Sequence, residues 1–195
     1  MLKRIFDLLT AGASIVLLSP VFLVVAAAVR TSSPGPVIFA QERVGRGFRP
    51  FWILKFRTMY VDAPARGGQL TVGAHDPRIT PVGRFLRGTK LDELPQLWNV
   101  VRGDMSLVGP RPEVPKYVEM FRGDYAEILR VRPGITDPAS LKYRREADEL
   151  ATAGDPEEEY VRRILPDKIA ISKHYLRTSS LVGDAGILIR TVFRF

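Results

Sequence analysis

From Leu8 to Val29 the chain carries no charged side chain, 22 residues in a row between Asp7 and Arg30. As a straight helix rising about 1.5 Å per residue, such a run reaches about 33 Å, close to the hydrocarbon thickness of a bilayer. Ser19 and Pro20 interrupt it near its centre. Proline removes a backbone donor and clashes with the preceding turn, so the helix is predicted to break there, with Ser19 back-bonding to a freed carbonyl. Both flanks are basic: Lys3 and Arg4 before the run, then Arg30, Arg43, Arg46, Arg49, Lys55 and Arg57 against the single acid Glu42. The positive-inside rule wants both ends on the cytoplasmic side, which a re-entrant hairpin satisfies and a spanning helix does not. Hydropathy alone also fits a straight span. A cleaved signal peptide has Lys3, Arg4 and Ala26-Ala27-Ala28 in its favour, but the run is long for one and a secreted remainder without cysteine is unusual. A buried core helix seldom stays uncharged for so long. The expectation is a re-entrant membrane helix over residues 1–30 and a second unit over 31–195.

Beyond it, Thr31 to Pro36 is a turn cluster. Val37 to Gln41 and Phe51 to Phe56 are β-branched and aromatic runs separated by Gly45, Gly47 and Pro50, which predicts a hairpin. Val61 to Pro81, rich in Gly, Pro and Asp, reads as loop. Leu91 to Val101 is predicted as one short helix with Leu91, Leu94, Leu97, Trp98 and Val101 on one side. Val114–Phe121 and Tyr125–Val131 read as short amphipathic helices stopped by Arg132-Pro133-Gly134. Residues 144–163 mix seven acids with four arginines around Gly154-Asp155-Pro156, a solvated helical face. Pro166–Leu176 and Val182–Phe195 read as helices, the last with Ile187, Leu188, Val192 and Phe195 among Arg190 and Arg194, a pattern suited to a membrane interface. The fold class is α+β: a re-entrant helix hairpin, a small β-hairpin, and several short amphipathic helices forming a catalytic domain on the cytoplasmic face.

Charge narrows the partners. The 29 Lys and Arg exceed the 21 Asp and Glu, for a formal net charge of +8, which favours polyanions: nucleic acid, phosphorylated small molecules or anionic headgroups. A basic nucleic-acid-binding protein explains the charge but not the apolar run. The absence of cysteine removes disulfides, thiol nucleophiles and thiolate metal sites. The two histidines, His75 and His174, exclude a histidine-rich metal site and an HExxH protease.

The motif Gly45-Arg46-Gly47-Phe48-Arg49-Pro50 begins like GxGxxG but sits in a hairpin, so it is no dinucleotide fingerprint. There is no Walker A sequence and no GxSxG elbow. The densest chemistry is Thr89-Lys90-Leu91-Asp92-Glu93-Leu94-Pro95-Gln96-Leu97-Trp98. Proline is best tolerated in a first turn, so the helix is predicted to start near Asp92. Asp92 is then open to two readings. It caps the helix, with Glu93 favouring the dipole, or the adjacent carboxylates act on a phosphate. Cations beside rigid Pro or Gly backbone stand ready for the second reading in Lys55-Phe56-Arg57-Thr58-Met59, Gly109-Pro110-Arg111-Pro112-Glu113 and Arg132-Pro133-Gly134-Ile135-Thr136. Each alone also reads as an ordinary surface turn.

Together these segments resemble the bacterial sugar transferases, the monotopic polyprenyl-phosphate phosphoglycosyl transferases, in their short catalytic-core form. The likeness runs from Lys3-Arg4-Ile5-Phe6-Asp7 to about Leu188, through the Ser19-Pro20 break, Gln41-Glu42-Arg43-Val44-Gly45, KFRTM at 55–59, LDELPQLWNV at 91–100, GDMSLVGPRP at 103–112 and RPGIT at 132–136. At Asp137-Pro138-Ala139-Ser140 the chain departs from the Gly-Trp-Ala-Gln of many members. The resemblance implies transfer of a sugar 1-phosphate from a UDP-sugar to a polyprenyl phosphate with release of UMP, an early membrane step of glycoconjugate assembly. It implies Asp92 as nucleophile and Glu93, with Asp92, as ligands of Mg²⁺. Lys55, Arg57, Arg87, Arg111, Arg132 and Arg144 are the phosphate-binding candidates, and Ser19 and Pro20 the membrane-helix break. It further implies a monotopic protein on the cytoplasmic face of the bacterial inner membrane, in contact with lipid, compatible with a homodimer and without nucleic acid. A noncatalytic membrane-anchored scaffold would account for the apolar run but not for the Asp-Glu, PRP and RPGIT constellation.

Overall fold

The computed structural model describes residues 2–66, 70–73 and 76–193; His75, Arg194 and Phe195 lie outside them. Helices α1 (Leu2–Leu17) and α2 (Ser19–Ser32) meet at Leu18 with a bend of 63°. No single helix is long and apolar enough to cross a membrane, but this bent pair together has the length and composition. The break has the predicted cause. Pro20 falls in the first turn of α2, and Ser19 Oγ donates to the Val16 carbonyl at 2.8 Å, occupying an acceptor that the missing proline N–H leaves free. Around the bend Val16, Leu17, Leu23 and Val24 are 69–80% exposed, an apolar tip with no protein cover.

The N-terminal end of the bent pair is held by polar contacts. Asp7, 3% exposed, accepts from Ser106 Oγ at 2.8 Å and the Leu107 N–H at 3.2 Å. Arg4 donates to the Val100 and Val101 carbonyls, and Lys3 pairs with Asp184. From α2, Val25 and Val29 pack against Phe56 and Leu86, with the Phe22 and Phe56 rings 5.7 Å apart. The early charges Lys3, Arg4 and Asp7 therefore fasten α1 to the rest of the chain.

Strands β1 (Ile38–Val44) and β2 (Pro50–Phe56) form the expected antiparallel hairpin, pairing Ile38 with Phe56 and Val44 with Pro50. The described residues of 61–80 are mostly irregular, as their composition suggested. A turn at Ala63–Arg66 and a bridge between Met59 and Ile79 lead into α3 (Pro81–Thr89), a helix not foreseen from the sequence. Its start is locally specified: Thr80 Oγ1 accepts from the Gly83 N–H at 2.9 Å and Pro81 takes the first position. Gly83 lies so close to Thr58 that any Cβ would run into the Thr58 carbonyl.

The single helix expected over 91–101 is in fact two pieces. A 3₁₀ turn spans Leu91–Glu93 and α4 spans Gln96–Arg102. Pro95 has no N–H to give, so the chain passes it in tight turns: Glu93 N–H to Lys90, Leu94 to Leu91, Leu97 to Leu94 and Trp98 to Pro95. The tighter winding changes which side is buried. Trp98 is 47% exposed, while Gln96 and Asn99 are wholly buried. Asn99 explains its own place: it donates to the Trp52 carbonyl at 2.8 Å and accepts from the Leu54 N–H at 3.0 Å, tying α4 to β2.

Short parallel strands β3 (Ser106–Val108) and β4 (Gly134–Thr136) join the GPRP and RPGIT segments. At their end Gly134 lies directly on the Gly109 backbone, leaving no room for a Cβ. These glycines serve backbone contact between two motifs. Helices α5 (Pro115–Met120) and α6 (Arg122–Ile128) match expectation to within three residues, and α7 (Pro138–Lys142) follows β4. The acidic stretch is α8 (Glu146–Ala151) and α9 (Pro156–Glu159), separated where Gly154-Asp155-Pro156 was expected to break it, with Asp155 capping α9. It continues through a π turn at Tyr160–Ile164 into α10 (Leu165–Thr178). Leu150 and Tyr160 are its buried anchors. In α11 (Leu181–Phe193), Ile187 and Leu188 face the core, while Val182, Ile189, Val192 and Phe193 are 55–84% exposed.

Candidate active site

The chain from β2 to α4 builds the site. Lys55 near the end of β2, Arg87 in the last turn of α3, the Asp92-Glu93 pair in the 3₁₀ turn, and Arg111 after β3 converge. Lys90 links α3 to the turn in a left-handed conformation, φ 59°, uncommon for a side-chain-bearing residue. It places two acids where a continuous helix would have carried them around its axis.

Glu93 is clamped. Its Oε1 accepts from Lys55 Nζ at 3.0 Å and Arg111 Nη2 at 2.5 Å, and Oε2 has only a longer contact, 3.3 Å, from Arg111 Nη1. Burial pushes this carboxyl up, but the Arg111 and Lys55 charges outweigh it and hold it well below the usual carboxylate range. Glu93 is ionised. Its charge in turn raises the Arg111 guanidinium above its ordinary value. Burial lowers Lys55, with Glu93 opposing the shift.

Asp92 differs. It is 6% exposed, its Oδ1 is sealed from solvent, and no side chain or backbone group among the described residues hydrogen-bonds that oxygen. Burial raises its carboxyl, Glu93 adds to the rise, and Lys55, Arg87 and Lys90 work against it. Two adjacent acids thus meet opposite fates, one neutralised by direct partners and one buried in a positive field without any.

The capping reading of Asp92 fails on geometry. The turn at Leu91–Glu93 and α4 both begin without a side-chain cap bond, and Thr89 Oγ1 turns back to the Phe85 and Leu86 carbonyls. The expected helix start near Asp92 is corrected too: α4 begins four residues later, so no helix terminus aims at the carboxylate.

Of the six predicted phosphate-binding cations, the structure brings together Lys55, Arg87 and Arg111. Arg87 is steadied by Thr58 Oγ1 at 2.8 Å and Thr71 Oγ1 at 3.1 Å, and burial lowers its pKa. Arg57 is elsewhere employed. At 5% exposed, it donates to Ser33 Oγ and the Ser33, Pro34 and Pro36 carbonyls at 2.6–2.9 Å, pinning the chain as it leaves α2. Arg132 donates to the Gly103 carbonyl at 2.7 Å, at the far end of α4. Arg144 donates to the Arg190 carbonyl at the surface. In this structure each of these three arginines donates to backbone carbonyls away from the acidic pair, Arg57 also to a hydroxyl.

Sequence reasoning missed Lys90 and Gln96. Gln96 is wholly buried, and neither its Oε1 nor its Nε2 has a hydrogen-bond partner. An unpaired buried amide costs about 1–3 kcal/mol. The only signal was its position four residues after Asp92, inside a run read as apolar. The departure at 137–140 has a visible consequence: Asp137, 1% exposed, accepts from the Arg111 N–H at 3.2 Å and caps α7 through the Ser140 N–H at 2.7 Å.

Among the described residues no three carboxylate or imidazole groups gather into a metal site. Mg²⁺ asks for less, since it keeps several waters and needs only one or two carboxylates beside substrate phosphates. Glu93 Oε2, with a single long contact, and the unpartnered Asp92 Oδ1 fit that requirement.

The whole chain, residues 1–195, matches the family model of the bacterial sugar transferases. The chain belongs to that family and is an enzyme of its type. A UDP-glucose:undecaprenyl-phosphate glucose-1-phosphate transferase of Caulobacter vibrioides is 40% identical, aligned over 97% of this chain and 68% of its own length. A UDP-N-acetylgalactosamine-undecaprenyl-phosphate N-acetylgalactosaminephosphotransferase of Aeromonas hydrophila is 39% identical over 98% of this chain and 43% of its own. The exopolysaccharide production protein ExoY of Rhizobium meliloti is 34% identical over 98% and 84%. The chain therefore spans between less than half and most of the length of these relatives.

Proposed function

We propose that the protein transfers a sugar 1-phosphate from a UDP-sugar to a polyprenyl phosphate, undecaprenyl phosphate by the names of its relatives, releasing UMP. The observation that carries this reading is the contrast between Asp92, buried and unpartnered, and Glu93, clamped by Lys55 and Arg111. A carboxylate attacking a diphosphate brings anion to anion, and the cations around it lower that repulsion. Asp92 attacks the phosphorus that bears the sugar. The bond from that phosphorus to the bridging oxygen breaks, and UMP leaves with the electron pair. The product is an acyl phosphate on Asp92. An oxygen of the lipid phosphate then attacks the same phosphorus, frees the Asp92 carboxylate and forms a polyprenyl diphosphate sugar. Arg87 and Arg111 present guanidinium forks to phosphate oxygens, and Lys55 contributes a point charge.

Glu93, with Asp92, would hold Mg²⁺, which when bound supplies charge neutralisation at the diphosphate. The bent α1–α2 pair fits a re-entrant element whose apolar tip sits in the inner membrane from its cytoplasmic face. The lipid phosphate would then stay at the depth of the site, in an early membrane step of glycoconjugate assembly. A scaffold reading leaves the buried, unpartnered carboxylate without a role.

The test is a panel of UDP-sugars incubated without lipid acceptor. The expected result is release of UMP up to one equivalent and a sugar-phosphate adduct on the peptide containing Asp92, lost on hydroxylamine treatment. Asp92→Asn should fold with unchanged stability, because the residue caps nothing, and should release no UMP. EDTA should abolish the release and Mg²⁺ restore it. An active Asp92→Asn protein, or an adduct on another peptide, overturns the reading.

A further inference from the structure

The catalytic reading uses Asp92, Glu93 and the surrounding cations, and leaves Gln96 unexplained. Gln96 is wholly buried with both ends of its carboxamide unpaired, and four residues before it Asp92 Oδ1 is also buried and unpaired. Buried polar groups without partners are rare in folded chains, and each calls for an account. Two in one turn, one an acceptor and the other carrying two N–H donors, have complementary capacities.

Their placement supports a shared role. Through the run of tight turns from Lys90 to Trp98, residues three and four apart lie on one side. Glu93, Gln96 and Asn99 make such a row, with Asp92 beside it. Glu93 is bonded to Lys55 and Asn99 to the backbone of Trp52 and Leu54, so the row faces β2 at both ends. Gln96 stands between a structural amide that satisfies itself on β2 and the acidic pair. A leucine would fill the position with no polar debt.

We infer that Gln96 is a positioning residue for Asp92. Its Nε2–H groups hold Oδ1 through one bound water and fix the direction from which the carboxylate meets the phosphorus. This rests on the nucleophilic role of Asp92. Holding the attacking group in line bears on the chemical step and leaves ground-state binding of the UDP-sugar alone.

The experiment measures single-turnover UMP release and the Asp92 adduct for wild type, Gln96→Leu and Gln96→Met, alongside thermal midpoints. Met is unbranched and accommodates irregular space, so it keeps the test open if Leu packs badly. The expected result is a fall in the rate of adduct formation of about tenfold or more with KM for the UDP-sugar within about twofold. The midpoint should fall by no more than a few degrees, since one hydrogen bond to the buried Oδ1 is lost. A variant that stays folded and forms the adduct at the wild-type rate overturns the positioning role alone, and so does a loss confined to KM. A wild-type protein that forms no adduct on Asp92 overturns the catalytic reading, and this inference with it.

Discussion

At the scale of single residues, an arginine's role is set by what its fork finds within reach. Arg57 and Arg111 stand in equally suggestive motifs, yet one meets four acceptors at the exit of α2 and the other meets Glu93. The two should respond differently to substitution. Arg57→Ala should lower stability by about 3 kcal/mol, read by urea denaturation, because several charge-assisted bonds are lost and buried carbonyls stay unpaired; the folded fraction should keep its KM for the UDP-sugar. Arg111→Lys should leave stability within about 1 kcal/mol and cut turnover at least tenfold, because an ammonium cannot reproduce a bidentate fork. The Asp92-Glu93 pair and the six candidate cations were legible as residues; that Lys55, Arg87 and Arg111 converge on the pair was not. Nothing local marks the carbonyls that Arg57, Arg132 and Arg144 meet, because these lie 21 to 46 positions away in sequence.

At the scale of elements, proline and its neighbours were the most informative letters. Pro20 broke the apolar run where expected, and Ser19 satisfied the Val16 carbonyl. If the hairpin is re-entrant, Leu2→Cys and Ser32→Cys, each the sole cysteine of its variant, should both be labelled by a membrane-impermeant thiol reagent only from the cytoplasmic side. Pro20→Ala should let the helix straighten, and a fraction of molecules should then show position 2 labelled from the opposite side. Exclusive opposite-side labelling of Leu2→Cys in the parent chain would contradict the re-entrant reading. Pro95 was read less well. Its tolerance in a first turn predicts a helix start near Asp92, whereas it forces tight turns and delays α4 to Gln96. Helix α3 went unread although Val82, Phe85 and Leu86 stand at helical spacing, because it is only nine residues long and holds two glycines, Gly83 and Gly88, of which Gly83 serves the close approach to Thr58.

At the scale of the molecule, a second buried polar assembly braces the site from behind. Glu113, just past Arg111, accepts from Arg43 at 2.9 Å and from the Tyr160 hydroxyl at 2.6 Å. Burial raises its carboxyl, but the charges of Arg43 and Lys168 and the Tyr160 hydrogen bond hold it below its ordinary value. Its folded pKa is depressed, so the stability it contributes is present above the ordinary carboxylate pKa and fades as pH falls through the folded value. Thermal midpoints measured from about pH 7 to about pH 3 should therefore drop more steeply for wild type than for Glu113→Gln. Parallel curves would assign the acid sensitivity to other carboxylates. The assembly joins β1, the PRP segment and the π turn, three regions that share no local pattern.

What the sequence determined by itself is what short-range chemistry controls. The uncharged run, its break at Ser19-Pro20, the β-hairpin, the interruption at Gly154-Asp155-Pro156 and the acidic pair follow from composition, backbone restriction and neighbouring charge, all read within a few residues. The tertiary structure decided which polar groups found partners. It clamped Glu93 and left Asp92 Oδ1 bare, turned Trp98 outward and Gln96 inward, and set Arg57, Arg132 and Arg144 against backbone carbonyls. A hydrogen bond depends on donor and acceptor meeting at about 3 Å, and for these groups the chain arranges that meeting only after distant segments have packed.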